Sequence, residues 1–350
     1  MPPEHAGEFA RIQAIVAALP RGEGVVLGPG DDAAVLRPSA GHDLVVTTDT
    51  FVEGVHWRRG LLPPRAVGRR LAAANLSDLA AMAAVPRWAV VACAAPRGAD
   101  AGEMREVERA CASALAADGA TIVGGNLSAT AGPPWWCVTL VGEVARGRHW
   151  TRSGARPGDV LAVTGHPGRA AAALAAATRG AGAAARAPGS FARVPRALVA
   201  AYAAPRSRVR AAQAMAGAGG VRAAIDLSDG ITGDLAHLCE ASRVGAVLDA
   251  GAWTRDALLE GVARALSGGR RASVAMVARA AERLRFAPSD DYELLLAVAP
   301  DRFAAVAAAA RGAGATLTSI GRVERRPGLR FLRPGGGESP LPGRGHDHFG

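Results

Sequence analysis

"AAIDLSDGITGDL", residues 223–235, decides how this chain is read. A short apolar run ends in Asp226, turn-forming residues follow, and Ile231, Leu235 and Leu238 then recur at i, i+4 and i+7. The first part has the character of a buried strand and the second presents one apolar helical face. A strand handing over to a helix is the repeating step of an α/β fold. Such a junction does not require three acids, yet Asp226, Asp229 and Asp234 gather here in a chain of formal net charge +10.

Similar groupings lie elsewhere: "GPGDDAAV" (28–35), "TTDT" (47–50), "NLSDLAAM" (75–82) and, close in kind, "SDDYELL" (289–295). A single acid after a strand is explained well enough as a helix cap or a turn former. Repetition defeats that account, because one acid serves a cap and these stretches offer Asp-Asp, Thr-Thr-Asp and Asp-x-Ser-Asp. Converging carboxylates push one another's pKa upward unless cations intervene. Magnesium is the natural remedy, since it takes a few carboxylates and hydroxyls together with substrate phosphates and water. The residues therefore predict a magnesium–phosphate site assembled from several strand ends.

The basic residues agree with that reading. The chain contains no lysine, so all 41 basic residues are arginine. A P-loop needs Gly-Lys-Ser/Thr and a protein kinase needs a strand lysine, and both are excluded. Metal ions can supply the positive charge instead. The arginines are dispersed and aromatics make up only 4%, so the basic stripe and stacking platform of a nucleic-acid binder are missing.

A chain of 350 residues is long for one core, which predicts two domains. Gly, Arg and Pro crowd the region around 145–158, and the boundary is placed there, giving domains 1–148 and 149–350. Strands are expected around a Gly-rich turn within 24–57, at 88–94, in "ATIVGG" and "WCVTLVGEV", and again at "VLAVTG", 244–248, 291–299 and "TLTSIGRV". Helices are expected over 64–82 and 100–118, and an Ala/Arg/Gly tract over 168–187 reads as helix plus loop. The Gly- and Pro-rich tail, 327–345, reads as loop. No apolar run reaches membrane-span length, no leader pattern opens the chain, and the four cysteines lack metal or redox spacing. These features predict a cytoplasmic protein without a membrane partner.

"GEFARI", "GPGDDAAVL", "TTDTFVEGVHW", "NLSDLAAM", "RSGARPGD", "AAIDLSDGITGDLAHL", "DDYELL" and "DHFG" occur in that order across nearly the whole chain. Together they resemble the thiamine-monophosphate kinase family of the aminoimidazole ribonucleotide synthetase-like superfamily. Selenophosphate synthetases share some of these stretches but would show an N-terminal cysteine or selenocysteine beside a lysine, and here the first cysteine is Cys93. The resemblance implies a two-domain α/β fold of mixed sheets flanked by helices, with the site between the domains and the N-terminal sheets pairing in a homodimer. It implies ATP- and Mg²⁺-dependent phosphorylation of thiamine monophosphate by direct transfer, with several magnesium ions. An enzyme of the superfamily with another acceptor, or a non-catalytic nucleotide-binding relative, is the alternative.

By matching positions, the implied metal ligands or anchors are Asp32, Thr47, Thr48, Asp49, Asp78, Asn126, Asp226 and Asp229. Asp49, Asp226 and Asp229 are also the implied catalytic acids. Gly125, Asn126, Arg152 and Ser228 would contact ATP, and His56, Asp290 and His346 the substrate. Three positions depart from the family pattern: Asn126 stands where Asp is common, Asp290 where Glu is usual, and His346 where an aromatic residue is common.

Overall fold

The computed structural model describes residues 22–29, 32–179, 190–343 and 345. They form two compact units. One runs as far as His149, and the other begins at Trp150 and takes in Ala80–Ala83 as well.

The first unit opens with a small hairpin, β1 (Val25–Leu27) and β2 (Val35–Leu36). Its sheet is built from β3 (His42–Val52), β4 (Val85–Ala95), β5 (Thr121–Ala129) and β6 (Trp135–Ala145) in the order β3-β6-β4-β5. Only β4 and β5 run parallel. Among the described residues two helices accompany it, α1 (Pro64–Ala81) and α2 (Ala101–Ala117). Asp100 starts α2 by accepting the N–H groups of Gly102 and Glu103 at 2.6 and 3.2 Å, the ordinary duty of a cap. Met104, Val107, Cys111 and Leu115 then form its buried stripe. On β6, Trp136, Val138 and Leu140 are buried while Cys137 and Thr139 are not. One face of the sheet is therefore covered by helices and the other is open, the usual consequence of strand alternation.

The second unit holds a seven-stranded sheet. Its strands are β7 (Val160–Thr164), β8 (Val221–Leu227), β9 (Gly245–Asp249), β10 (Glu293–Val298), β11 (Leu317–Glu324), β12 (Leu329–Leu332) and β13 (Glu338–Pro340). They lie in the order β13-β12-β9-β11-β7-β10-β8, and only the β12–β9 pair is parallel. The described helices are α3 (Arg169–Thr178), α4 (Arg196–Ala203), α5 (Val209–Ala218), α6 (Ile231–Ser242), α7 (Ala257–Leu266), α8 (Val274–Arg285) and α9 (Phe303–Gly312). Ile231, Leu235 and Leu238 of α6 pack on Leu161, Ile225, Leu227, Leu295 and Ile320 of the sheet. This is the apolar face anticipated from the opening stretch.

The mixed sheets with flanking helices are the expected fold class. The tail is not the expected loop. Residues 329–332 and 338–340 form β12 and β13. Pairing with β9 from far upstream creates β12, and Arg330 bonds Glu324 and the carbonyl of Pro327. Such long-range partners leave no trace in a Gly- and Pro-rich local sequence.

Candidate active site

In the first unit the candidate residues divide between the two faces of the sheet. Thr47, Thr48 and Asp49 are consecutive on β3, so Thr47 and Asp49 leave from one face and Thr48 from the other. Thr47 Oγ1 donates to Asp78 Oδ2 of α1 at 2.5 Å. Two helical turns earlier, the guanidinium of Arg70 lies 5.7 Å from the Phe51 ring centre. Helix α1 thus runs antiparallel along β3, and Asp49 falls between these two contacts. Arg70 is fully buried, and the sequence analysis passed over this internal cation.

Thr48 Oγ1 instead meets Thr139 Oγ1 at 3.1 Å and Cys137 Sγ at 3.3 Å on the open face. Its hydroxyl therefore lies on the opposite face of the strand from the Thr47 and Asp49 side chains. Asn126 also lies on the open face, in register with Ala92, Cys137 and Thr50. Three strand spacings, about 14 Å, separate it from β3. Its amide donates to Ser128 Oγ at 3.1 Å. Nor does β5 end at the glycine pair; it continues to Ala129. A Cβ on Gly125 would come within 2.2 Å of the Val91 carbonyl oxygen, so the neighbouring strand accounts for that glycine. Within one chain, Asn126 is not brought to the Thr47–Asp78 pair.

His56 stacks on Phe51 with ring centres 5.3 Å apart. Its Nδ1 accepts the Val52 N–H at 3.1 Å, which puts a neutral ring's proton on Nε2. Asp32 sits exposed beyond β1, ahead of β2.

In the second unit the candidate residues lie at the β8–α6 junction and beside it. Asp226, only 4% exposed, leaves β8 on the face opposite the Ile225–Leu227 core. Ser228 and Asp229 follow, half-buried, on the turn. The Thr151 carbonyl accepts the Ala224 N–H at 2.9 Å, so the segment carrying the exposed Arg152 runs beside β8. Asp234 is 2% exposed, and its carboxyl is pushed up to about 7, first by burial and then by the charge of Asp229. The N–H groups of Asp229 and Ser228 and the charge of Arg152 offset part of that rise. Asp234 received no role in the sequence reading.

The acids at 291 and 293 have separate tasks. Asp291 accepts the N–H groups of Gly168 and Ala170 at 2.7 and 3.0 Å and caps α3; burial holds its carboxyl at about 6. Glu293 is bound by Arg208 and by the Thr164 hydroxyl at 2.6 Å. Asp290, half-buried, precedes them. Between them Tyr292 adopts φ +51°, a left-handed conformation that is costly for a bulky residue. His346 lies outside the described residues.

The donor chemistry suits magnesium of a particular kind. Among the described residues, no three His, Cys, Asp or Glu side chains come together closely enough to hold a metal. The pair that does meet is oxygen-only, the Thr47 hydroxyl with the Asp78 carboxylate. Such donors fit an ion that arrives with phosphate oxygens and water as its other ligands. They do not make the closed cage of a structural zinc.

Comparisons with known proteins agree in both units. The family model described as AIR synthase related protein, N-terminal domain, matches residues 30–144, and the corresponding C-terminal domain model matches 156–332. The chain is 32% identical over 331 residues to the thiamine-monophosphate kinase of Synechococcus elongatus, covering 91% of each. It resembles the crystal structure of thiamine-monophosphate kinase from Stenotrophomonas maltophilia at 31% identity and a TM-score of 0.75, over 92% of this chain and 94% of that one. A structure described as AaThiL complexed with AMPPCP and TMP aligns at 25% identity and a TM-score of 0.71, over 100% and 99% of the two chains. The chain belongs to the thiamine-monophosphate kinase family of the AIR synthase related proteins.

Proposed function

We propose that the chain transfers the terminal phosphoryl group of ATP to thiamine monophosphate, yielding thiamine diphosphate and ADP. The observation that carries this is family membership over nearly the full length, joined to oxygen-donor acids on β3, α1 and the β8–α6 turn. Mg²⁺, when bound with the phosphates, neutralises charge that builds on the transferring group. Thr47, Asp49 and Asp78 form the metal set of the first unit, and Asp226 and Asp229 that of the second. Ser228 and Arg152 contact ATP, the guanidinium fork suiting phosphate oxygens. His56 Nε2 and Asp290 are directed to the thiamine moiety. Exposed Val46, Leu44 and Val90 on the open sheet face support a homodimer formed through that face, since apolar patches of this kind mark interaction sites. No described helix is long and apolar enough to cross a membrane, and we assign the enzyme to the cytoplasm.

One assay tests the reaction. Purified protein with ATP, magnesium and thiamine monophosphate, followed by phosphorus NMR, should give thiamine diphosphate and ADP. ADP formed only with another acceptor would replace the substrate assignment, and no ADP under any condition would leave a nucleotide-binding protein without turnover.

A second test addresses the source of positive charge. With metals in place of lysine, ATP plus a chelator should barely raise the melting temperature, whereas ATP plus magnesium should raise it clearly. Equal stabilisation in both conditions would point to arginines as the phosphate site.

A further inference from the structure

The turn between β8 and α6 is held from beneath by a residue to which neither the sequence motifs nor the reaction assigns a role. Helix α6 has Gly230 at its N-cap, with φ +92° and no side-chain cap. A Cβ there would lie 3.0 Å from the Ala287 carbonyl, so the backbone passes close at a conformation that suits glycine. The capping runs in reverse. Asp234, inside the first turn of α6, reaches back so that its Oδ2 accepts the Asp229 N–H at 3.2 Å, and the nearby Ser228 N–H favours its charged form. The peptide plane between Ser228 and Asp229 is thereby turned inward.

We propose that Asp234 is a positioning residue for the nucleotide turn: by holding the Asp229 N–H, and with it the peptide plane that joins Ser228 to Asp229, it fixes where the Ser228 hydroxyl and the Asp229 carboxylate face. It touches neither ATP nor metal. The inference rests on the proposed role of that turn in binding Mg·ATP. Asparagine has the same shape but replaces a charged acceptor by a neutral one and can set its NH₂ group against the Asp229 N–H, so Asp234→Asn should loosen the hold on that peptide group.

The test compares wild type, Asp234→Asn and Leu235→Ala. Leu235 is fully buried in the core, so its truncation lowers stability without touching the turn. In Asp234→Asn, the KM for ATP should rise ~10-fold or more, the scale of losing one hydrogen bond to a charged group. The KM for thiamine monophosphate should stay within about twofold, since the lost bond lies on the ATP side. Leu235→Ala should lower the melting temperature and leave the KM for ATP unchanged. An Asp234→Asn enzyme with the wild-type KM for ATP overturns the proposal, as does a pattern matching that of Leu235→Ala. Amide hydrogen exchange at Asp229 separates this from failure of the kinase reading. Exchange should be slow in the wild type and faster in Asp234→Asn even if no substrate is turned over, and unchanged exchange overturns the proposal by itself.

Discussion

Replacing Asp226 with asparagine is expected to lower phosphoryl transfer at least ~10²-fold, the range seen when one preorganised charge-stabilising group is lost. Asp226 stands at the penultimate position of β8 and is paired in register with Leu294 of β10. At 4% exposure the position tolerates little change in side-chain volume. Asparagine preserves the volume and one acceptor oxygen while removing the charge. Folding should therefore survive, with the melting temperature little changed. The measurement is kcat beside a thermal melt. Near-normal kcat with an intact fold would remove Asp226 from the metal set.

The second large effect concerns architecture. Glu293→Ala should destabilise the protein by about 3–5 kcal/mol, because it strands a cation in the interior. Arg208 meets the Glu293 carboxylate through both Nε and Nη2, with Nε at 2.5 Å from Oε2. The two side chains are only 12% and 9% exposed. Thr164 adds a further hydrogen bond and also accepts the Leu294 N–H at 2.8 Å. Chemical denaturation would report the loss. Arg208→Met in the Glu293→Ala background should restore much of it, since no charge then remains unpaired. A loss below about 1 kcal/mol in the single variant would assign the pair the small worth of an exposed one.

These two acids show what was legible in the sequence. Asp226 could be found because it ends an apolar run and shares its turn with other acids. Strand alternation was equally available in "TTDTF" and would have separated Thr48 from Thr47 and Asp49. Glu293 and Asp291 could not be told apart from Asp290 by inspection. Their partners, Arg208 and the N–H groups of Gly168 and Ala170, lie far away in the chain. The fold was legible where periodicity is local, as in α1, which was expected over 64–82 and is found over Pro64–Ala81. It was hidden where a strand exists only because a distant one receives it, as β9 receives β12.

The turn at 228–234 also constrains the order in which the protein can be made. Gly230 rests against Ala287 and Pro288, a Cβ on Gly233 would come within 2.6 Å of the Gly345 Cα, and the Thr232 hydroxyl donates to the Pro342 carbonyl at 2.7 Å. A chain emerging from the ribosome exposes the acids of this turn well before residues 287–288 exist, and longer still before 342–345. Contacts so distant in sequence are closed late, and domains fold as units during synthesis. The turn therefore takes its final form only once residues 342–345 have been made, so a chain stalled before them would carry the acidic motif without the contacts that hold it.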